Sequence, residues 1–219
     1  MATKQIAVKK PASQMDFLSA QKLAEKYGIP MIPTHAAQRE NDLMEISKKI
    51  PYPWAMKVVG KTLIHKSDIG GVKLNLQNSH DAMMAFHELR TIKGCEYVAV
   101  QPQRKGIEII VGGKLDSQFG PTVLVGMGGI YTEVFKDSSL RVCPVNETDV
   151  REMINELKIA PILHGARGQK GINENQLVKL IMGVSKLMVE KNISELDLNP
   201  VIATPASVEA VDIRIIEEK

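Results

Sequence analysis

A lysine inside an otherwise apolar run is the first residue of this chain placed to do chemistry. Lys57 lies in Trp54 to Val59, WAMKVV, and no other residue of that run is charged. An ammonium group in an apolar strand is costly unless it meets a partner, so its position points to an anion. The next residues are rich in donors: Lys61, His65, Lys66 and Asp68, closed by Gly70 and Gly71. A polar, glycine-bearing loop beside a strand lysine suits a polyanion, and a nucleotide phosphate is the natural one. The plainer reading is an edge strand with a snorkelling lysine and an ordinary surface loop. His65, between two lysines, is a candidate nucleophile for a phosphoryl group, with lysine stabilising the charge. A lone loop histidine is more commonly a surface residue.

A second group of oxygens sits near the C-terminus. Asp197 lies between Leu196 and Leu198 in SELDLNPV and Asp212 between Val211 and Ile213 in EAVDIRI, each a carboxylate flanked by apolar residues in an expected strand, and Asn199 follows Asp197 by two positions. Strand alternation turns Asp197 and Asn199 to one side, and Asp212 converges on Asn199 if the two strands are neighbours. These are hard oxygens of the type magnesium accepts, with phosphate and water completing its shell. Otherwise Asp197 and Asn199 organise the turn at Pro200. Glu108, in KGIEIIVGG, is an acid in an apolar strand, able to accept from a ribose hydroxyl, to help a metal site, or simply to face solvent. Arg141 either binds phosphate or pairs with a local acid. Gly126-x-Gly128-Gly129 is followed by no Gly-Lys-Ser/Thr and lacks a third glycine at the Rossmann spacing, so it is neither of those phosphate loops.

The elements that must position these residues are mixed. Residues 1–12 read as a loose arm without the apolar run of a signal peptide. Ser13 caps an expected helix from Gln14 to Tyr27, stopped by Gly28. A short strand is expected over Ile29 to Thr34, near an edge because of its prolines, then a helix over Asn41 to Ile50. The Lys57 strand and a second strand, Val72 to Leu76, flank the histidine loop, and in the second Val72, Leu74 and Leu76 alternate with Lys73 and Asn75. A helix follows from Ser79, then strands over Tyr97 to Gln101 and Ile107 to Gly113.

Strands are next expected at Thr122 to Val125, Ile130 to Phe135 and Leu140 to Val145, then a helix capped by Asn146 or Thr148. A glycine-rich loop with Arg167 and Lys170 precedes a helix opened by Asn173, and strands over Ile193 to Leu198 and Val208 to Ile215 end the chain. The order lacks the regular alternation of a doubly wound sheet. It reads as α+β in two lobes: a smaller one over 13–101 with Lys57 and the His65 loop, and a larger one over 102–219, with a hinge near Gln101 to Gln103.

Bulk composition narrows the function classes. The 219 residues are 44% hydrophobic and 24% charged, enough to bury a sizeable core. A net charge of +3 without a basic block, and 4% aromatics, argue against a nucleic-acid binder. No stretch has the length of a membrane span. Cys95 and Cys143 are far apart and fit no metal spacing, as expected of a reducing cytoplasm.

Taken in order, AMKVV, IHKSDIGGVKLNL, VQP, GIEIIVGG, FGPTVLVGMGGIYTEVFKDSSLRVCPV, LHGARG, LDLNPV and EAVDIRI resemble a known family over nearly the whole chain from Ser13. The family is the ATP-grasp β subunit of NDP-forming acyl-CoA synthetases, especially the ADP-forming acetyl-CoA synthetases of archaea. The chain is similar, more distantly, to the β subunit of succinyl-CoA synthetase. The resemblance implies a two-lobed ATP-grasp fold, Mg²⁺ and ADP or ATP. It places Lys57 on the nucleotide phosphates, Val100, Gln101 and Pro102 around the adenine largely through backbone, and Glu108 near the ribose and catalytic centre. Asn199 and Asp212 match the pair that holds Mg²⁺, and His65 matches the second phosphorylation point. Gly70, Gly71 and the Gly126–Gly129 loop match close-backbone positions of the same fold.

The resemblance also implies a partner, because this chain has no Rossmann-type βαβ unit to bind CoA. That partner is an α subunit carrying the first phosphohistidine, in a heterotetramer with two copies of each chain. The implied activity is that of a cytoplasmic acetate–CoA ligase. The acid, and ADP against GDP, stay open. The competing expectations are a stand-alone ATP-grasp ligase joining a carboxylate to an amine, and a non-catalytic nucleotide-binding module.

Overall fold

A computed structural model describes residues 13–60, 63, 69–129, 137–166 and 168–218. His65 and the expected strand over Ile130 to Phe135 lie outside the described residues. The chain divides into two compact units, one formed by residues up to Pro30 together with Ile107 onward, the other by Met31–Gly106.

Among the described residues the smaller unit is a four-stranded antiparallel sheet backed by two helices. Its strands are β2 (His35–Ala37), β3 (Trp54–Val59), β4 (Val72–Leu76) and β5 (Tyr97–Pro102), in the order β2-β5-β3-β4. β2 starts at His35 rather than at Ile29, because Pro30 and Pro33 lack the N–H a ladder needs. The helices α2 (Glu40–Ser47) and α3 (Ser79–Arg90) cover one face. Trp54, Met56, Val58, Val98 and Val100 point into that core with Leu43, Ile46, Ala82, Phe86 and Leu89. Tyr52 stacks on Trp54 at a centroid distance of 4.2 Å. Asn78 caps α3, accepting from the Asp81 N–H at 3.0 Å. The even alternation read in VKLNL is broken: β4 carries a bulge against Ala55 of β3.

The larger unit holds a seven-stranded sheet among the described residues, in the order β1-β11-β9-β6-β7-β8, with β10 also paired to β9. These strands are β1 (Ser13–Gln14), β6 (Ile107–Asp116), β7 (Gly120–Met127), β8 (Ser138–Val142), β9 (Ile193–Ala203), β10 (Val208–Ala210) and β11 (Arg214–Glu217). The helices α1 (Phe17–Lys26), α4 (Glu147–Asn155) and α6 (Glu174–Glu190) pack against it, and a short α5 (Ala160–Leu163) precedes α6. Leu177, Leu180, Ile181, Val184 and Leu187 of α6 are all buried, the face its periodicity predicts. Asn173 caps α6 through the Gln176 N–H. A Cβ on Gly183 would stand 2.6 Å from the Tyr27 carbonyl oxygen, so only glycine lets α6 lie this close to the end of α1.

Residues 13–30 were expected in the smaller lobe, but they pack with the larger unit. β1 pairs with β11, and α1 buries Phe17, Ala20 and Ala24 against α6 and β11. The cap of α1 is Asp16 rather than Ser13, because Ser13 is taken into the sheet.

Candidate nucleotide and metal site

In the smaller unit the site begins with β3. Its even positions fill the core, so Ala55, Lys57 and Val59 face away from α2 and α3. Lys57 is only 5% exposed, and its cross-strand neighbours are Val72 on β4 and Ala99 on β5. The lysine thus stands between two apolar residues on one sheet face, in a setting that strengthens its attraction for an anion.

Val100, Gln101 and Pro102 end β5. Val100 is part of the helix-side core, so only its backbone can serve a ligand. Gln101 is buried beside Thr34, whose hydroxyl accepts from its Nε2 at 2.8 Å. β2 pairs with β5 only from Val98 to Val100, so Gln101 and Pro102 lie beyond that ladder. Gly70 has the left-handed φ of 68° that favours glycine, and the Gly71 carbonyl accepts from the Val58 N–H at 2.8 Å. Gly71 thus sits against β3 just before β4 begins.

In the larger unit the site is built on β9 and its neighbours. The expected strand from Val208 to Ile215 is interrupted, and Asp212 sits in the gap between β10 and β11. On one side of the gap Ala210 pairs with Val201, on the other Arg214 pairs with Asp197. Asn199 and Asp212 therefore meet across the same hairpin, and the Val211 N–H donates to the Pro200 carbonyl at 2.9 Å between them. β9 runs through Pro200 to Ala203, so Asn199 belongs to a strand and not to a turn.

Two oxygen-bearing residues at facing positions of one hairpin suit magnesium, which is satisfied by few protein ligands plus phosphate and water. Among the described residues no cluster of three or more His, Cys, Asp or Glu could hold a metal ion.

Asp197 adds a carboxyl beside this pair. Burial pushes its pKa up; Arg214 opposes that shift, and Glu195 and Asp212 add to it. Glu108 lies on β6 opposite Ile202 of β9 and is exposed. The glycine run folds back over it: the Gly128 N–H donates to the Glu108 carbonyl at 2.9 Å, and a Cβ on Gly129 would lie 3.0 Å from Glu108 Oε2. Gly128 and Gly129 thus leave room around an acid, a role that their spacing alone did not reveal. Arg141 has a local role, because Glu156 binds its guanidinium on the helix-covered side of the sheet.

A two-unit α+β chain with a strand lysine in one unit and paired oxygen donors in the other is the pattern of a nucleotide-dependent ligase. The chain belongs to the ATP-grasp family, whose ATP-grasp domain profile matches residues 7–216. It is 41% identical over 208 residues to the ADP-forming acetate–CoA ligase I subunit β of Pyrococcus furiosus, covering 90% of this chain and 89% of that one. It is 37% identical over 195 residues to the ADP-forming acetate–CoA ligase II of Archaeoglobus fulgidus, covering 89% of this chain but 29% of that longer polypeptide.

Among solved structures it matches the dinucleotide-forming acetyl-coenzyme A synthetase 1 of Ca. Korarchaeum cryptofilum in complex with coenzyme A, Ca-AMPCP and HgCl⁺. The TM-score is 0.88 and the identity 35%, over 94% of both chains. The same enzyme in complex with coenzyme A and Mg-AMPPCP, its phosphohistidine segment pointing towards the nucleotide binding site, matches with a TM-score of 0.82 and 35% identity over 94% of this chain and 93% of that one.

Proposed function

We propose that this chain is the nucleotide-binding β subunit of an ADP-forming acyl-CoA synthetase, with acetate as the default acid. The carrying observation is the convergence of Asn199 and Asp212 on one hairpin, in a chain that keeps Lys57 buried on a sheet face. In this reading the Lys57 ammonium binds nucleotide phosphate. The backbone of Val100, Gln101 and Pro102 holds the base, and Glu108 accepts from a ribose hydroxyl. Gly70 and Gly71 let the backbone at their own positions approach the nucleotide closely. Asn199 and Asp212 hold Mg²⁺, which when bound neutralises charge on the phosphate oxygens.

The overall reaction is acyl-CoA, ADP and phosphate to free acid, CoA and ATP. On the partner α subunit, phosphate displaces CoA from the acyl group, and a histidine takes the phosphoryl group from the acyl phosphate, releasing the acid. His65 accepts that phosphoryl group from the partner's histidine and gives it to the terminal oxygen of ADP. Each transfer needs a charged cradle more than covalent help, which Lys57 and the donor-rich loop supply. A two-copies-each assembly and a cytoplasmic setting belong to the same proposal. The separate P. furiosus subunit and the threefold longer A. fulgidus chain support a partner polypeptide, and favour this reading over a stand-alone carboxylate–amine ligase or a nucleotide sensor.

The test is a thermal-shift titration with ADP, with and without Mg²⁺, on the chain with its α subunit. A ligand that binds only the folded state at about a hundred times its Kd stabilises by roughly 2.7 kcal/mol. The expected result is a Mg-dependent shift that Lys57→Ala and Asp212→Ala each remove. A shift of wild-type size in both variants sinks the assignment.

A further inference from the structure

Strand β4 departs from the pattern its own residues set. In a straight strand Val72, Leu74 and Leu76 would all face the helices, and Lys73 and Asn75 would share the face of Lys57. In the structure Leu76 pairs with Trp54, yet Lys73 pairs with Met56 and Val72 with Lys57. β4 therefore takes one more residue than β3 over the same stretch, a bulge. The bulge turns Lys73 to the helix side, where it ion-pairs with Glu88, and leaves Leu74 56% exposed. It forms at Asn75, whose φ of 59° is the one positive value at a non-glycine position among the described residues.

An exposed leucine and a left-handed backbone are both unfavourable, so the bulge needs a support. Gln103 is placed to give it. Its Oε1 accepts from the Asn75 N–H at 2.5 Å, and its Nε2 donates to Asn75 Oδ1 at 3.0 Å. Its own N–H is anchored on the Pro53 carbonyl at 2.9 Å. The clamp thus spans from the end of β5 across β3 to β4.

We propose that Gln103 is a positioning residue for Lys57: it holds β4 in the bulged register and keeps Lys73 off the Lys57 face. Without the clamp β4 straightens about the Trp54–Leu76 pair. Leu74 then moves inward beside Met56, and Lys73 comes directly opposite Lys57. Two like charges directly opposite on a sheet, with Cβ atoms about 5 Å apart, repel. The Lys57 ammonium then loses the apolar flank that Val72 provides. This inference rests on the nucleotide reading of Lys57 only for its functional consequence; the register itself is tested without nucleotide.

The experiment uses the chain with its α subunit and a Leu74→Cys probe, labelled with a maleimide. The background is the same protein without the probe, since Cys95 is half-buried and Cys143 buried. In the bulged register the probe labels fast. Adding Gln103→Leu is expected to slow labelling about tenfold or more, as a buried position requires. The same substitution, without the probe, is expected to weaken Mg-ADP binding about fivefold or more. Asn75→Gly in the Gln103→Leu background restores both, because glycine holds the left-handed backbone unaided.

Unchanged or faster labelling in Gln103→Leu overturns the proposal, as does slowed labelling without loss of Mg-ADP affinity, or failure of Asn75→Gly to restore either. A failure of the nucleotide reading shows separately, as no Mg-ADP binding by the unsubstituted protein.

Discussion

The chemistry proposed for this chain depends on a few side chains whose surroundings differ sharply. Lys57 is buried on a sheet face between Val72 and Ala99, a setting that strengthens its attraction for the nucleotide phosphate proposed to bind it. Asn199 and Asp212 occupy facing positions in the gap between the two ladders of the β9 hairpin, where Asn199 is exposed and the proposed magnesium could draw water and phosphate into its shell. Asp197, two positions from Asn199, is held towards its neutral form by burial. His65 carries the relay in the proposed mechanism and nothing in nucleotide binding. His65→Ala is therefore expected to abolish ATP formation from acetyl-CoA, ADP and phosphate while leaving the Mg-dependent thermal shift with ADP intact. A coupled assay and the same titration check this; wild-type-like turnover in the variant removes the relay role.

Elements are held by caps and by close approaches that the sequence marks unevenly. Asp16 starts α1 by accepting from the Ser19 N–H at 3.0 Å, and α1 brings Phe17, Ala20 and Ala24 onto the larger unit. Replacing an N-cap aspartate by alanine costs about 1 kcal/mol. Asp16→Ala should thus lower Tm by about 2–4 °C in a chain of this length, read by calorimetry at neutral pH. The difference should depend on pH. Hydrogen bonding from Ser19 holds the Asp16 carboxyl below its usual value. Its contribution is then present above the unfolded-state pKa and lost as pH falls through the lower folded-state value. The two proteins should converge in acid; a gap that widens there contradicts the capping role.

On the scale of the molecule, the chain matches a separate β subunit over 89% of its length and only 29% of a longer single-chain relative. The remaining chemistry, CoA binding and formation of the acyl phosphate, is assigned to a partner. Co-expression with the α subunit is expected to yield a stable complex with two copies of each chain, measured by light scattering after affinity capture through the α subunit. Recovery of the α subunit alone refutes the partnership. No helix among the described residues is long and apolar enough to cross a membrane.

Much of the proposed site was legible in the residues themselves. Lys57 stood out because a lone charge in WAMKVV violates an apolar pattern, and Asp212 because it falls between the apolar Val211 and Ile213. Such violations survive any detail of packing, since an unpartnered charge in a strand is costly whatever surrounds it. The two-unit α+β architecture also followed from local signals, and the strands over Trp54 to Val59 and Val72 to Leu76 carry the bounds their periodicity sets.

The tertiary structure decided what depends on pairing between distant segments. Only the β9–β10 and β9–β11 registers bring Asn199 to Asp212, and only the sheet order sends α1 to the larger unit. The bulge at Asn75 contradicts the alternation of VKLNL because its support, Gln103, is 28 residues away in sequence. Periodicity reports which face a residue prefers alone; the register it adopts is set by hydrogen bonds that no local window contains.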